Sequence, residues 1–133
     1  MGDVKKDNTV IVSEVGPGPF VQNITVRSHK LFADEPLSFP EGTDKGLSPN
    51  DFLLSSLGSC TSITLRMYAR LKKIPLEKII ITLIINDNGD IIRKIKLIGN
   101  LTTEQKEKLF SISTKCPIHK ILTKNNLIIS SLI

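Results

Sequence analysis

Residues 48–73 read SPNDFLLSSLGSCTSITLRMYARLKK, and this stretch decides the fold. Ser48, then Pro49, then an apolar run is the pattern of a helix N-cap followed by proline at the first helical position. Asp51 stands three residues after Ser48, where its carboxylate can return a bond to the cap, as in a capping box. No proline follows until Pro75, so the spacing predicts a helix of about 24 residues, roughly 36 Å long. Leu53, Leu57, Cys60, Thr64, Met67 and Leu71 recur at three- and four-residue spacing, while Phe52, Leu54, Ile63 and Leu65 fill other faces. Asp51 comes early, and Arg66, Arg70, Lys72 and Lys73 come late, the order that suits the helix dipole. A helix apolar nearly all round belongs in a core or an interface.

Such a helix needs cover on every side, and one small sheet covers one side. The expectation is therefore a homodimer in which the partner's own long helix packs against this one. Gly58, flanked by Ser55, Ser56 and Ser59, fits close helix approach, because a mid-helix glycine otherwise costs about 1 kcal/mol.

Outward from the helix, the chain reads as α+β with antiparallel sheet. Asn8–Glu14 alternates as a first strand, Gly16-Pro17-Gly18-Pro19 turns, and Phe20–Arg27 returns as a second strand. Ser28–Ala33 continues extended. Leu37–Leu47, rich in Pro, Gly, Ser and charge, is a loop leading into the helix. After Pro75, Glu77–Asn86 is a strand, Asn88-Gly89 signals a type I′ hairpin, and Ile91–Ile98 returns with Ile95 and Leu97 inward and Lys94 and Lys96 outward. Thr102 with Gln105 predicts a second capping box and a surface helix to about Thr114; CPIHKIL, from Cys116, opens a short helix; and Asn125–Ile133 closes the chain as a final strand. Residues 1–7 are polar and expected to fray.

The totals narrow the function. A chain of 133 residues suits one domain, and a single Tyr with five Phe and no Trp makes the core aliphatic. The net charge of +5 is spread among acids without interleaved aromatics, which argues against a nucleic-acid surface. The apolar runs fall short of a membrane span, and MGDVKKDNTV has no signal-peptide core, so a cytoplasmic protein is expected. Two cysteines are too few for a disulfide framework. They are two buried small hydrophobes or a redox or catalytic pair.

Cys116 precedes proline, which pushes it out of helical geometry and makes it an N-cap, where free N–H groups lower a thiol pKa. His119, three residues on, lowers it further if protonated. The alternative is a cysteine that only caps and packs. Cys60 is mid-helix and gains nothing from a helix end; a lone cysteine there is more often core. Its reactivity needs a cation or donor from elsewhere, and Arg27, His29 and Lys30 are candidates. His29 with Asp34 and Glu35 suggests a Cys–His–Asp nucleophile set, against a plain hydrogen-bonded strand histidine. Asn50 and Asp51 in the first turn are candidate supports for the thiol or simple caps. The Cys and His spacings match no metal site, and no cofactor is expected.

SPNDFLLSSLGSCTSITLRMYA followed by KCPIHKIL resembles the OsmC/Ohr family of osmotically induced and organic-hydroperoxide-resistance proteins. SHKLFADEP leading to GLSPND is similar to the OsmC-like branch rather than Ohr itself. The resemblance implies an intertwined homodimer with two long helices crossed between six-stranded sheets. It also implies a thiol peroxidase acting on small hydrophobic peroxides, in which Cys60 becomes a sulfenic acid and Cys116 resolves it as a disulfide. A dithiol such as a lipoyl group would be the reductant. The family's peroxidases carry an arginine in the N-terminal strand turn and a glutamate directly after the helix-opening proline. Here GPGPF holds no arginine, and that second place holds Asn50 with Asp51 one later. Local physics favours Cys116 as the more acidic thiol, whereas the resemblance makes Cys60 the attacking one. A non-catalytic dimer binding a small apolar ligand, and a Cys–His hydrolase or acyl carrier using Cys60 and His29, are the other readings.

Overall fold

Ser48 and Asp51 form the reciprocal cap that their spacing predicts. The Asp51 N–H donates to Ser48 Oγ at 3.2 Å, and the Ser48 N–H donates to the Asp51 carboxylate at 3.0 Å. The helix they open, α1, runs Pro49–Leu71 in this computed structural model, which describes residues 7–133. At its end Lys73 takes the left-handed conformation, with φ 55°. There the Ile74 N–H reaches Ala69 O (2.8 Å) and the Lys73 N–H reaches Arg70 O (3.3 Å). These are the two bonds of a Schellman stop, and Pro75 follows. The fraying expected of residues 1–7 lies, except for Asp7, outside the described residues.

The chain packs as two compact units, one up to Leu53 and the other Leu54–Ile133. In the first, β1 (Ile11–Glu14), β2 (Gln22–Val26) and β3 (His29–Ala33) form a three-stranded antiparallel sheet in that order. Ile11 stands opposite Thr25, and Gln22 opposite Ala33. The following loop is tied by Asp34, a buried carboxylate that accepts from the N–H groups of Glu35 (2.7 Å), Thr43 (3.3 Å) and Lys45 (3.0 Å) and from the Thr43 hydroxyl. Gly46 lies so close to the Phe32 carbonyl that a Cβ there would stand 2.1 Å from it. The loop is thus a built structure and not slack chain.

In the second unit, β4 (Leu76–Ile85) and β5 (Ile91–Gly99) make an antiparallel hairpin with Ile81 opposite Ile95. Its turn differs from expectation. The Gly89 N–H donates to Asn86 O at 3.0 Å, and of the pair Asn88-Gly89 only the glycine has positive φ (83°). A type I′ turn needs positive φ at both central residues; this is a longer loop with glycine in the left-handed position. Helix α2 (Thr103–Ile112) begins with the predicted capping box of Thr102 and Gln105, and tightens into a 3-10 turn at Ser113–Lys115. Helix α3 covers Pro117–Thr123.

The core of this unit is Leu65, Ala69, Leu76 and Leu109, surrounded by Tyr68, Ile79, Ile95 and Leu97. Within the unit α1 buries a stripe, Leu57, Gly58, Thr61, Leu65 and Ala69, at helical spacing. Ile63, Met67 and Leu71 remain exposed, so a single chain covers the helix on one face only. Gly58 serves the sheet: a Cβ there would stand 2.8 Å from Leu83 Cδ1 of β4. The final strand expected at residues 125–133 is absent. Leu127, Ile128 and Ile129 are each about nine-tenths exposed, and no strand among the described residues pairs with them. A strand exists only through its ladder, and this segment finds no partner edge among the described residues. Among the described residues the sheets of one chain hold three and two strands. Among the described residues no helix is long and apolar enough to cross a membrane.

Candidate functional site: a hydrogen-bonded thiol pair

Pro117 holds Cys116 at φ −55° and ψ 127°, outside helical geometry, so that Cys116 caps α3 as its sequence predicts. The His119 N–H donates to Cys116 Sγ at 3.4 Å. The side chain has no exposed surface, whereas Cys60 on α1 is partly exposed; both are free thiols. The fold brings the two into one neighbourhood, where each thiol shifts the ionisation of the other, although they stand 56 positions apart in sequence.

Their surroundings divide the labour between them. Burial opposes ionisation of Cys116, but the polar groups around it, the Cys60 thiol first and then the His119 N–H that donates to its sulfur, outweigh burial and hold this thiol below its usual range. Burial pushes the Cys60 thiol up, and the neighbouring Cys116 pushes it further. The nearby Ile118 N–H of α3 pulls the other way, an influence that only the tertiary structure supplies.

Arg93 of β5, which stands in no sequence motif, bridges the elements around the two cysteines. Its guanidinium donates to Thr61 Oγ1 (3.0 Å), Ser113 Oγ (3.4 Å) and His119 Nδ1 (3.2 Å). It thereby ties together α1, the 3-10 turn and α3, the elements that carry or flank both cysteines. The signal was available. The alternation that turns Ile95 and Leu97 inward turns Arg93 inward as well. An arginine can only donate, so Nδ1 of His119 is the acceptor in this contact, and it is the backbone N–H of His119 that reaches Cys116 Sγ.

The other predicted site residues belong to the N-terminal unit. Arg27, in the β2–β3 turn with φ 52°, donates to Asn8 Oδ1 at 2.8 Å. His29 is exposed at the start of β3, and the Lys30 ammonium lies over the Phe32 ring. Asp34 does not orient His29. Its carboxylate is engaged in its loop, and the Thr43 hydroxyl foremost, with the Lys45, Glu35 and Thr43 N–H groups, holds it below the usual carboxylate range despite burial. Glu35 donates its N–H to Asp34. Asn50 is exposed, and Asp51 completes the α1 cap. Among the described residues no three side chains of His, Cys, Asp or Glu converge as a metal site would require.

The family model described as OsmC-like protein matches residues 42–131. The fold resembles an OsmC-like protein from Mycoplasma pneumoniae, with TM-score 0.68, 21% identity, and coverage of 87% of this chain and 88% of that one. It also resembles the organic hydroperoxide resistance protein OsmC from Legionella pneumophila (TM-score 0.57, 20% identity, 88% and 90% covered). A third similar structure is the organic hydroperoxide resistance protein OhrB of Bacillus subtilis (TM-score 0.53, 17% identity, 88% and 92% covered). At these identities the likeness speaks for the fold alone. Among curated proteins no sequence matches this chain.

Proposed function

Because the chain belongs to the OsmC-like protein family, we propose that it is a thiol-dependent peroxidase for organic hydroperoxides, with Cys60 and Cys116 as its redox pair. The observation that carries this reading is the pairing of two free thiols, one on a partly exposed residue and one on a fully buried residue, near enough to shift each other's ionisation in opposite directions. Similar folds named for organic hydroperoxide resistance support the substrate class.

Access decides the order of attack. A hydroperoxide can touch only a sulfur with exposed surface, so Cys60 reacts first even though Cys116 is the more acidic. Two thiols this close hold a single proton between them once the first is lost. As the proton sits on Cys116, the Cys60 thiolate attacks the distal peroxide oxygen and the O–O bond breaks. Cys60 becomes a sulfenic acid, and the alkoxide takes a proton from solvent and leaves as the alcohol. The Cys116 sulfur then attacks the sulfenic sulfur. A Cys60–Cys116 disulfide forms, and the departing hydroxide leaves as water with the Cys116 proton. An external dithiol of the lipoyl class reduces the disulfide and is itself oxidised, which suits a reducing cytoplasm.

The same reading makes the molecule a homodimer. Its support is the apolar surface that one chain leaves bare: Ile63, Met67 and Leu71 on α1, and Leu127, Ile128 and Ile129 in the tail.

Intact mass and free-thiol count after one equivalent of cumene hydroperoxide test the chemistry. Loss of two hydrogens and both thiols within seconds is expected; two free thiols after minutes overturn it.

A further inference from the structure

Arg93 and His119 face more than the thiol pair. Together they line a pocket of about 540 Å³ on the hairpin-turn side of the second unit. Leu57, Ile91, Phe110 and Leu122 form its walls, and neither sulfur lines it. Phe110 and Leu122 are large apolar side chains left substantially exposed. The Arg93 charge inside is uncompensated. Its three recorded partners, Thr61, Ser113 and His119 Nδ1, are neutral acceptors, and no carboxylate of the described residues pairs with it. A guanidinium has more N–H donors than those acceptors use, and its fork matches a carboxylate. Apolar walls with a few convergent polar groups are what a small-molecule site is made of.

We propose that this pocket binds an apolar molecule bearing one carboxylate, with the carboxylate on Arg93 and the hydrocarbon against Leu57, Phe110 and Leu122. The ligand is a single anion, because one cation faces it and Asp90 stands at the rim. The site is separate from the peroxide chemistry but coupled to it through Arg93. A bound carboxylate engages the guanidinium that holds Thr61, Ser113 and His119, the residues that flank the two cysteines, and so slows alkylation of the thiols.

The test uses the full chain and three probes: octanoate, 1-octanol and acetate. Binding is followed by calorimetry, and the thiols by iodoacetamide alkylation at fixed pH without peroxide, so that a failed peroxidase leaves the result readable. Octanoate is expected to bind roughly tenfold or more tighter than octanol or acetate, and to slow alkylation. Arg93→Met should remove the preference for octanoate over octanol. Asp90→Asn, on the exposed rim, should tighten octanoate several-fold, which guards against misreading a poorly folded Arg93 variant. Equal binding of octanoate and octanol, no binding of octanoate, or an Asp90→Asn variant indistinguishable from the parent overturns the site. Tight octanoate binding with unchanged alkylation overturns the coupling.

Discussion

Arg93 reaches Thr61 at 3.0 Å from the neighbouring strand, and Thr61 is the residue that follows Cys60 on α1. The same guanidinium donates to Ser113 and His119, three residues before and three after Cys116, so one side chain ties together the elements that carry or flank both cysteines. Arg93→Met should lose roughly 1–3 kcal/mol of stability in denaturant unfolding, and should move the pH midpoint of thiol alkylation upward. Arg93→Lys keeps the charge without the fork. It is expected to recover the midpoint more than the stability. A merely structural arginine would change stability alone.

Cys116→Ser removes the resolving sulfur and leaves Cys60 in place. After one equivalent of cumene hydroperoxide, a dimedone adduct on Cys60 should be found by mass spectrometry and should persist for minutes. In the parent it should be transient, because Cys116 neighbours Cys60.

Asp34 gives the loop a pH dependence whose sign follows from its partners. Its folded pKa lies below the unfolded value of about 3.9. The unfolded chain therefore binds more protons in that window, and stability is gained as pH rises through it and lost as pH falls through the folded pKa. Denaturant midpoints of the parent and of Asp34→Asn should differ at neutral pH, where Asp34 is ionised and accepts from Thr43, Glu35 and Lys45. The gap should narrow as pH falls below the unfolded value of about 3.9 and through the lower folded one. A gap that stays constant with pH would refute the assignment.

Gly58 and Leu83 are coupled by contact. Gly58→Ala gains about 1 kcal/mol of helix propensity but brings a Cβ to 2.8 Å from Leu83 Cδ1, and overpacking of this kind costs ~1–3 kcal/mol. The single variant should be neutral or destabilised. Adding Leu83→Val should relieve the clash, so that the double variant is more stable than the two single effects sum to. Additive effects would show that Leu83 yields freely.

The bare apolar face of α1 predicts an assembly. Met67→Glu places a charge where Ile63, Met67 and Leu71 are exposed in one chain. Light scattering should give a dimer mass for the parent and a monomer mass for the variant. A monomeric parent would remove the dimer from the proposed function.

Much of this molecule was legible in local sequence. Ser48-Pro49 with Asp51, and Thr102 with Gln105, specify helix starts because their bonds close within one turn. Cys116-Pro117 specifies a capping thiol for the same reason: proline restricts its neighbour directly. The hairpin followed from alternation, although the conformation of its turn did not, since Asn88-Gly89 suits more than one loop geometry. The closing residues 125–133 have the composition of a strand, but composition cannot supply a ladder partner.

By itself the sequence determined where the long helix begins and ends, that its cysteine sits among apolar residues, and that a second thiol stands at a helix start. Those properties rest on interactions a few residues long. Only the tertiary structure decided that Cys60 and Cys116 are neighbours, that Arg93 ties together the elements around them, and that His119 Nδ1 accepts from it. Each of these joins elements tens of residues apart, and the pairing of such elements is set by packing of the whole core around Leu65 and Leu109.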